Sequence, residues 1–259
     1  MKVTESNAAV KLTNLYNEGR RLNWLGVAGD SISRWLTPPE IMELQAALNL
    51  NGAYYPLQIK EPRLAKECFM FCCHGDVLPG DADGDALISL MIFQVNAAGD
   101  KFRVLWESGR ENHPPLELAM HLTAHAVHSV GPGCVVFHCQ PMKTLALAAV
   151  IGQDEDRFLN ELERGFAAIR NMLPDGIGMI PWQMPHPQRR GMPMSEVENH
   201  DLRSFMAQIR EHMQYQEGLV LMGEGVLCVS RSERSVHSII NAMERASTIR
   251  LEMMRAGVQ

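Results

Sequence analysis

Residues 135–140 read VVFHCQ: two β-branched residues and a phenylalanine, then a histidine, a cysteine and a glutamine. That composition predicts a β-strand, and the two-residue period of a strand puts His138 and Gln140 on one face with Cys139 on the other. Two readings follow. Polar side chains two apart on a strand make the geometry of an H-x-H metal pair, here with the poorer amide ligand in the second place. Alternatively, His138 and Gln140 form a buried, hydrogen-bonded pair without a chemical role.

Working outward, the strand lies between Gly131-Pro132-Gly133, which ends a helix, and a second helix over 143–151. The earlier helix is expected to begin near Pro114-Pro115, because proline suits a first turn, with Leu118, Leu122, Ala126 and Val127 as its apolar stripe. Upstream, YYPLQI, CFMFCC, ALISLMIFQVN and KFRVLWE are strand-like runs separated by GDVLPGDADGD and AAGD turns, the pattern of an antiparallel meander. Before them come an amphipathic helix over 7–24, a short alternating strand over 31–35 and a helix over 39–48. Downstream, the chain reads as a helix over 155–171, a strand at GIGMIPW, a polar proline-rich loop, a helix over 196–212, a strand along GLVLMGEGVLCVS and a closing helix over 233–254. A central antiparallel sheet with helices before and after it predicts an α/β fold, a three-layer α/β/α sandwich with a mainly antiparallel sheet.

The 259 residues are 46% apolar and 21% charged, enough for a sizeable core in one domain spanning 1–259. A net charge of −6 without a basic block argues against nucleic acid as a partner. The N-terminal residues carry no apolar signal-like segment, and no window approaches the roughly 18 apolar residues that span a bilayer, so a cytoplasmic protein without membrane contact is expected. The six cysteines form no CxxC pair and sit in or beside apolar runs, which argues against a disulfide framework or a zinc ribbon.

Chemistry could reside in a few residues. Glu117 falls in the first turn of a helix, where a carboxylate is favoured by the helix dipole and could be aimed into a cleft as an acid or base. Glu224 stands between two glycines in an apolar run, either as a buried charge that needs a partner or as the exposed tip of a tight turn. His121, His125 and His128 follow helical spacing, but Leu122 stands where a zinc protease motif needs glutamate, which leaves them as core or supporting histidines. No GxSxG, GxxxxGK[ST] or GxGxxG element occurs, so hydrolase, P-loop and dinucleotide readings find no support.

The order of motifs is nevertheless specific. GVAGDSISR, YYPL, LELAMHLTAH, GCVVFHCQPMKTLALAAV, PDGIGMIPW and GLVLMGEGVLCVS succeed one another along nearly the whole chain. In this succession the chain resembles the class II aldolase/adducin family. The resemblance implies a metal-dependent carbon–carbon lyase that cleaves a ketose or ketose phosphate, such as rhamnulose-1-phosphate, with a divalent metal, zinc first, as Lewis acid. It implies Glu117 as the catalytic acid/base and places His138, Gln140 and Glu224 at the three metal-ligand positions, which the family fills with histidines. It also implies substrate contacts from Gly29, Asp30, His74 and Gly75, a sugar or sugar phosphate as the small-molecule partner, and a homo-oligomer, a tetramer.

The sequence departs from that pattern. One histidine of three remains among the ligand positions, and Asp76 takes the place of a lysine in the phosphate loop. A phosphate dianion would meet like charge at Asp30 and Asp76. Two functional expectations therefore stand side by side: an active lyase with altered ligands, or a catalytically silent homologue that keeps the fold for binding or assembly.

Overall fold

The computed structural model describes residues 2–25, 30–74, 88–108, 117–181 and 196–258. In chain order these form α1 (Asn7–Arg21), β1 (Ser31–Trp35), α2 (Pro38–Leu44), β2 (Tyr54–Pro56), β3 (Cys68–His74), β4 (Ile88–Val95), β5 (Lys101–Glu107), α3 (Leu118–Val127), β6 (Val135–Cys139), α4 (Met142–Ile151), α5 (Glu155–Gly165), α6 (Ile169–Met172), β7 (Gly178–Pro181), α7 (Glu196–Met213), β8 (Gly218–Met222), β9 (Gly225–Ser230) and α8 (Glu233–Arg255). The strands build one nine-stranded sheet in the order β2-β5-β4-β3-β1-β6-β9-β8-β7. Every pairing is antiparallel except β7 with β8. The meander expected before residue 107 is β3-β4-β5, with β2 added at the edge.

Strand alternation assigns the two sides of this sheet. Ile32, Met70, Cys72, Val135, Phe137 and Cys139 point into a core shared with α1, α4, α5 and α8. Trp35, Phe69, Phe71 and Val136 point the other way, against α3 and α7. The result is the three-layer α/β/α sandwich expected from the sequence. All six cysteines are free, and all but Cys73 are fully buried, as small core residues. Among the described residues no helix is long and apolar enough to cross a membrane.

Two expected elements are divided. The helix expected over 155–171 ends at Gly165, resumes as α6 and bends at Phe166, whose φ of −155° is extended. Gly165 is where α5 meets α8: a Cβ on it would overlap the carbonyl oxygen of Ala246. The strand expected along 218–230 is a hairpin. Leu221 O accepts the N–H of Glu224 at 2.9 Å, and Gly223 between them has φ +84°, the left-handed value that glycine adopts without steric cost.

Candidate active site

The strand reading of VVFHCQ holds for Val135–Cys139. Gln140 lies one residue past the strand, and its N–H donates to Trp24 O at 2.5 Å. β6 is an interior strand, so His138 pairs with Ser31 on β1 and Leu227 on β9 and is fully buried. The hairpin resolves the two readings of Glu224 in favour of the turn, where its side chain is half-buried. Gly225, the next residue, lies against His138: a Cβ built there would stand 2.6 Å from Nε2 of the imidazole and 2.7 Å from Cys139 O. The turn therefore brings the Glu224 segment directly to the His138 end of β6.

Glu117 is placed at the N-cap of α3 rather than inside its first turn, with φ −64° and ψ −12°. Burial raises its carboxyl above the usual carboxylate range. Its own backbone N–H pulls the other way, and the charge of Glu224 raises it further. Burial also pushes Glu224 up. Glu117 thus feels the charge of Glu224, whose turn reaches His138, and Gln140 follows immediately after the same strand.

The remaining expected site residues are placed differently. Asp30 is buried just before β1, and its charge bears on Tyr16 and Cys139, whose side chains lie on the α1 side of the sheet, opposite His138. His74 is the last residue of β3. Gly29 and Gly75 lie outside the described residues, as do Asp76 and Pro114-Pro115.

One part of the arrangement was not anticipated from sequence. Nine of the ten residues of α3 are buried, so its polar side chains need partners inside the protein. Strand β1 supplies them. Ser31 Oγ lies 2.9 Å from His121 Nε2, Ser33 Oγ lies 2.7 Å from His121 Nδ1, and the same Ser33 oxygen lies 2.8 Å from His125 Nε2. Burial, helped by the neighbouring His125 and His138, drives His121 well below the ordinary imidazole value, and burial pushes His125 down to about 3. Both rings are therefore neutral hydrogen-bonding groups at physiological pH. They are core histidines that fix α3, and with it Glu117, against the strand beside His138. The available signal was the alternation of Ser31-Ile32-Ser33, which places two hydroxyls on one face.

Among the described residues, no group of three or more His, Cys, Asp and Glu side chains is placed to hold a metal ion. The three ligand positions named from the sequence, His138, Gln140 and Glu224, offer one imidazole, one amide and one carboxylate. Such a mixed nitrogen and oxygen set suits a divalent ion, held more weakly than by three imidazoles.

No family model matches the chain. A crystal structure of a sugar-phosphate aldolase from Thermotoga maritima superposes on 94% of this chain and 93% of its own, with a TM-score of 0.65 and 15% identity. A second, of an aldolase II superfamily protein from Pseudomonas syringae, covers 99% of this chain and 79% of its own, with a TM-score of 0.59 and 13% identity. The fold is that of the class II aldolases. In sequence, the class II aldolase resemblance extends to the rhamnulose-1-phosphate aldolase of Pectobacterium carotovorum subsp. carotovorum, 27% identical over 178 residues, or 67% of this chain. That match spans 65% of the relative's own length.

Proposed function

We propose that this chain is a carbon–carbon lyase of the class II aldolase type, acting on a ketose or ketose phosphate such as rhamnulose-1-phosphate. The observation that carries the reading is the placement of Glu117, its carboxyl raised by burial, beside the Glu224 turn and the His138 end of β6. A carboxyl whose burial favours its protonated form holds a proton more firmly than an exposed one and can both accept and return it, which is what an aldol cleavage requires. Glu117 takes the proton of the substrate hydroxyl as the adjacent carbon–carbon bond breaks. The aldehyde leaves, the electron pair stays on the ketone fragment as an enediolate, and Glu117 gives the proton back to carbon. Held by His138, Gln140 and Glu224, a divalent ion, with zinc or manganese the candidates, would supply Lewis-acid polarisation of the ketose carbonyl. The aldolase names carried by the curated relative and the Thermotoga structure support the same chemistry. We read residues 1–259 as one domain working in the cytoplasm as a homo-oligomer, a tetramer on the family pattern.

A second reading has its own observation. Only one of the three metal-ligand positions carries histidine, and no described cluster of three strong ligands takes their place. A silent homologue that binds a sugar or assembles without chemistry would tolerate those changes.

Elemental analysis of protein purified without chelator or histidine tag separates the two. The lyase reading expects about one divalent ion per chain, lost in Glu224→Ala, together with aldehyde release from a phosphorylated or free ketose. Absence of metal after soaking with zinc or manganese, and absence of turnover across both substrate classes, overturns it in favour of the silent homologue.

A further inference from the structure

On the α3 and α7 side of the molecule a cavity of about 410 Å3, lined by neither Glu117 nor His138, opens between the segment after β2 and α7. Its apolar floor is Leu57, Ile59 and Met206, and its charged groups are Lys60, Glu61, Asp100, Arg203 and Arg210. That size lies within the range of small-molecule pockets, and an apolar floor with a few convergent polar groups is their usual composition.

The two acids are already committed. Glu61 is 3% exposed, pairs with Arg210, and accepts the Thr123 hydroxyl of α3 at 3.4 Å. Asp100 accepts the side-chain amide of Asn96 at 2.8 Å. The cations are in excess, three against two. Lys60 and Arg203 are exposed and, among the described residues, their side chains make no hydrogen bond or ion pair. Arg203 and Arg210 are seven apart on α7, so they lie on one face of the helix, two turns from each other. Two uncommitted cations beside the ion pair of buried Glu61 with exposed Arg210, and an apolar floor, form a receptor for an anionic head with an apolar body. A guanidinium offers paired donors to carboxylate or phosphate oxygens, and an ammonium adds a point charge.

We propose that this cavity is a second ligand site, which binds a small organic anion with its carboxylate or phosphate head between Lys60 and Arg203 and its body over Leu57, Ile59 and Met206. The site is independent of the lyase reading, since none of its residues belongs to the candidate active site.

The test is an amide NMR titration of the full chain at fixed ionic strength, with inorganic phosphate and, separately, with hexanoate. Saturable shifts are expected for residues 57–61 and 203–210, with affinity falling about tenfold or more in a Lys60→Ala, Arg203→Ala double variant. Saturation by phosphate alone assigns a phosphate head, and saturation by hexanoate alone assigns an amphiphilic carboxylate. A Lys60→Gln, Arg203→Gln pair, which keeps the side-chain stems, covers the case in which alanine loosens α7. Absence of saturable shifts with both anions, or binding undiminished in both double variants, overturns the proposal.

Discussion

The backbone of Gly225 lies against the imidazole of His138, so closely that a methyl group on Gly225 would stand 2.6 Å from Nε2. The contact joins two strands of the sheet at the candidate active site, and the ring cannot yield easily because it is fully buried. Gly225→Ala should cost about 1–3 kcal/mol of stability through overpacking and should displace the imidazole. Denaturant unfolding reads the first effect. On the lyase reading, loss of the divalent ion expected at His138, in protein that still folds, reads the second. A stable variant with unchanged metal content would mean that the hairpin can shift away from His138.

The charge of Glu224 adds to burial in raising the cost of ionising Glu117. Glu224→Gln removes a neighbouring charge, so the Glu117 carboxyl should titrate at lower pH than in the parent, measured by carbon NMR of the labelled side chain. The sign for stability follows. A carboxyl whose folded value is raised holds its proton longer in the folded than in the unfolded state. Stability is then full below the ordinary glutamate range near 4.5 and is lost as pH rises through the folded value. Glu224→Gln should flatten that loss. Catalysis should respond separately: if Glu117 moves the proton, Glu117→Gln should lower turnover by about 10²- to 10⁴-fold with little change in fold.

Ser33 holds two histidines of α3 with one hydroxyl, at 2.7 Å and 2.8 Å. Ser33→Ala leaves two buried ring nitrogens without that partner, which should cost about 1–3 kcal/mol. Ser33→Thr keeps a hydroxyl and should recover part of the loss. Because α3 carries Glu117 at its N-cap, the lyase reading expects the alanine variant also to lower turnover more than it weakens substrate binding. A midpoint of unfolding equal to the parent would remove the structural role assigned to the network.

What could be read from sequence was whatever local periodicity determines. The strand over 31–35 and the helices over 196–212 and 233–254 agree with β1, α7 and α8 to within a residue at their ends, because alternation and a helical stripe are properties of the segment alone. The hairpin at Gly223 was hidden because both its strands are buried on both faces, so the apolar run continues through the turn, and only Gly-Glu-Gly marked it. At the site, Glu117, His138 and Glu224 could be named as residue types in suggestive places. The bonds from Ser31 and Ser33 to His121 and His125 could not, since they join positions 88 to 92 residues apart and need the docking of α3 on β1 to exist. The cavity beside Arg203 is legible only in three dimensions for the same reason.

The break between α5 and α6 gives a final test of that distinction. Locally, glycine at 165 only weakens a helix that glutamate, arginine and leucine otherwise favour, so Gly165→Ala would raise helix propensity by about 1 kcal/mol in an isolated peptide. In the folded protein the added methyl meets the backbone carbonyl of Ala246 on α8, and a backbone atom cannot rotate aside as a side chain can. The helices must separate, opening the contact in which Phe158, Leu162 and Met243 are fully buried. Overpacking should win, with a net loss of about 1–3 kcal/mol, measured as the shift in urea midpoint at unchanged slope. A variant more stable than the parent would show that propensity outweighs the close approach and that α5 and α8 pack with more slack than their separation at Gly165 implies.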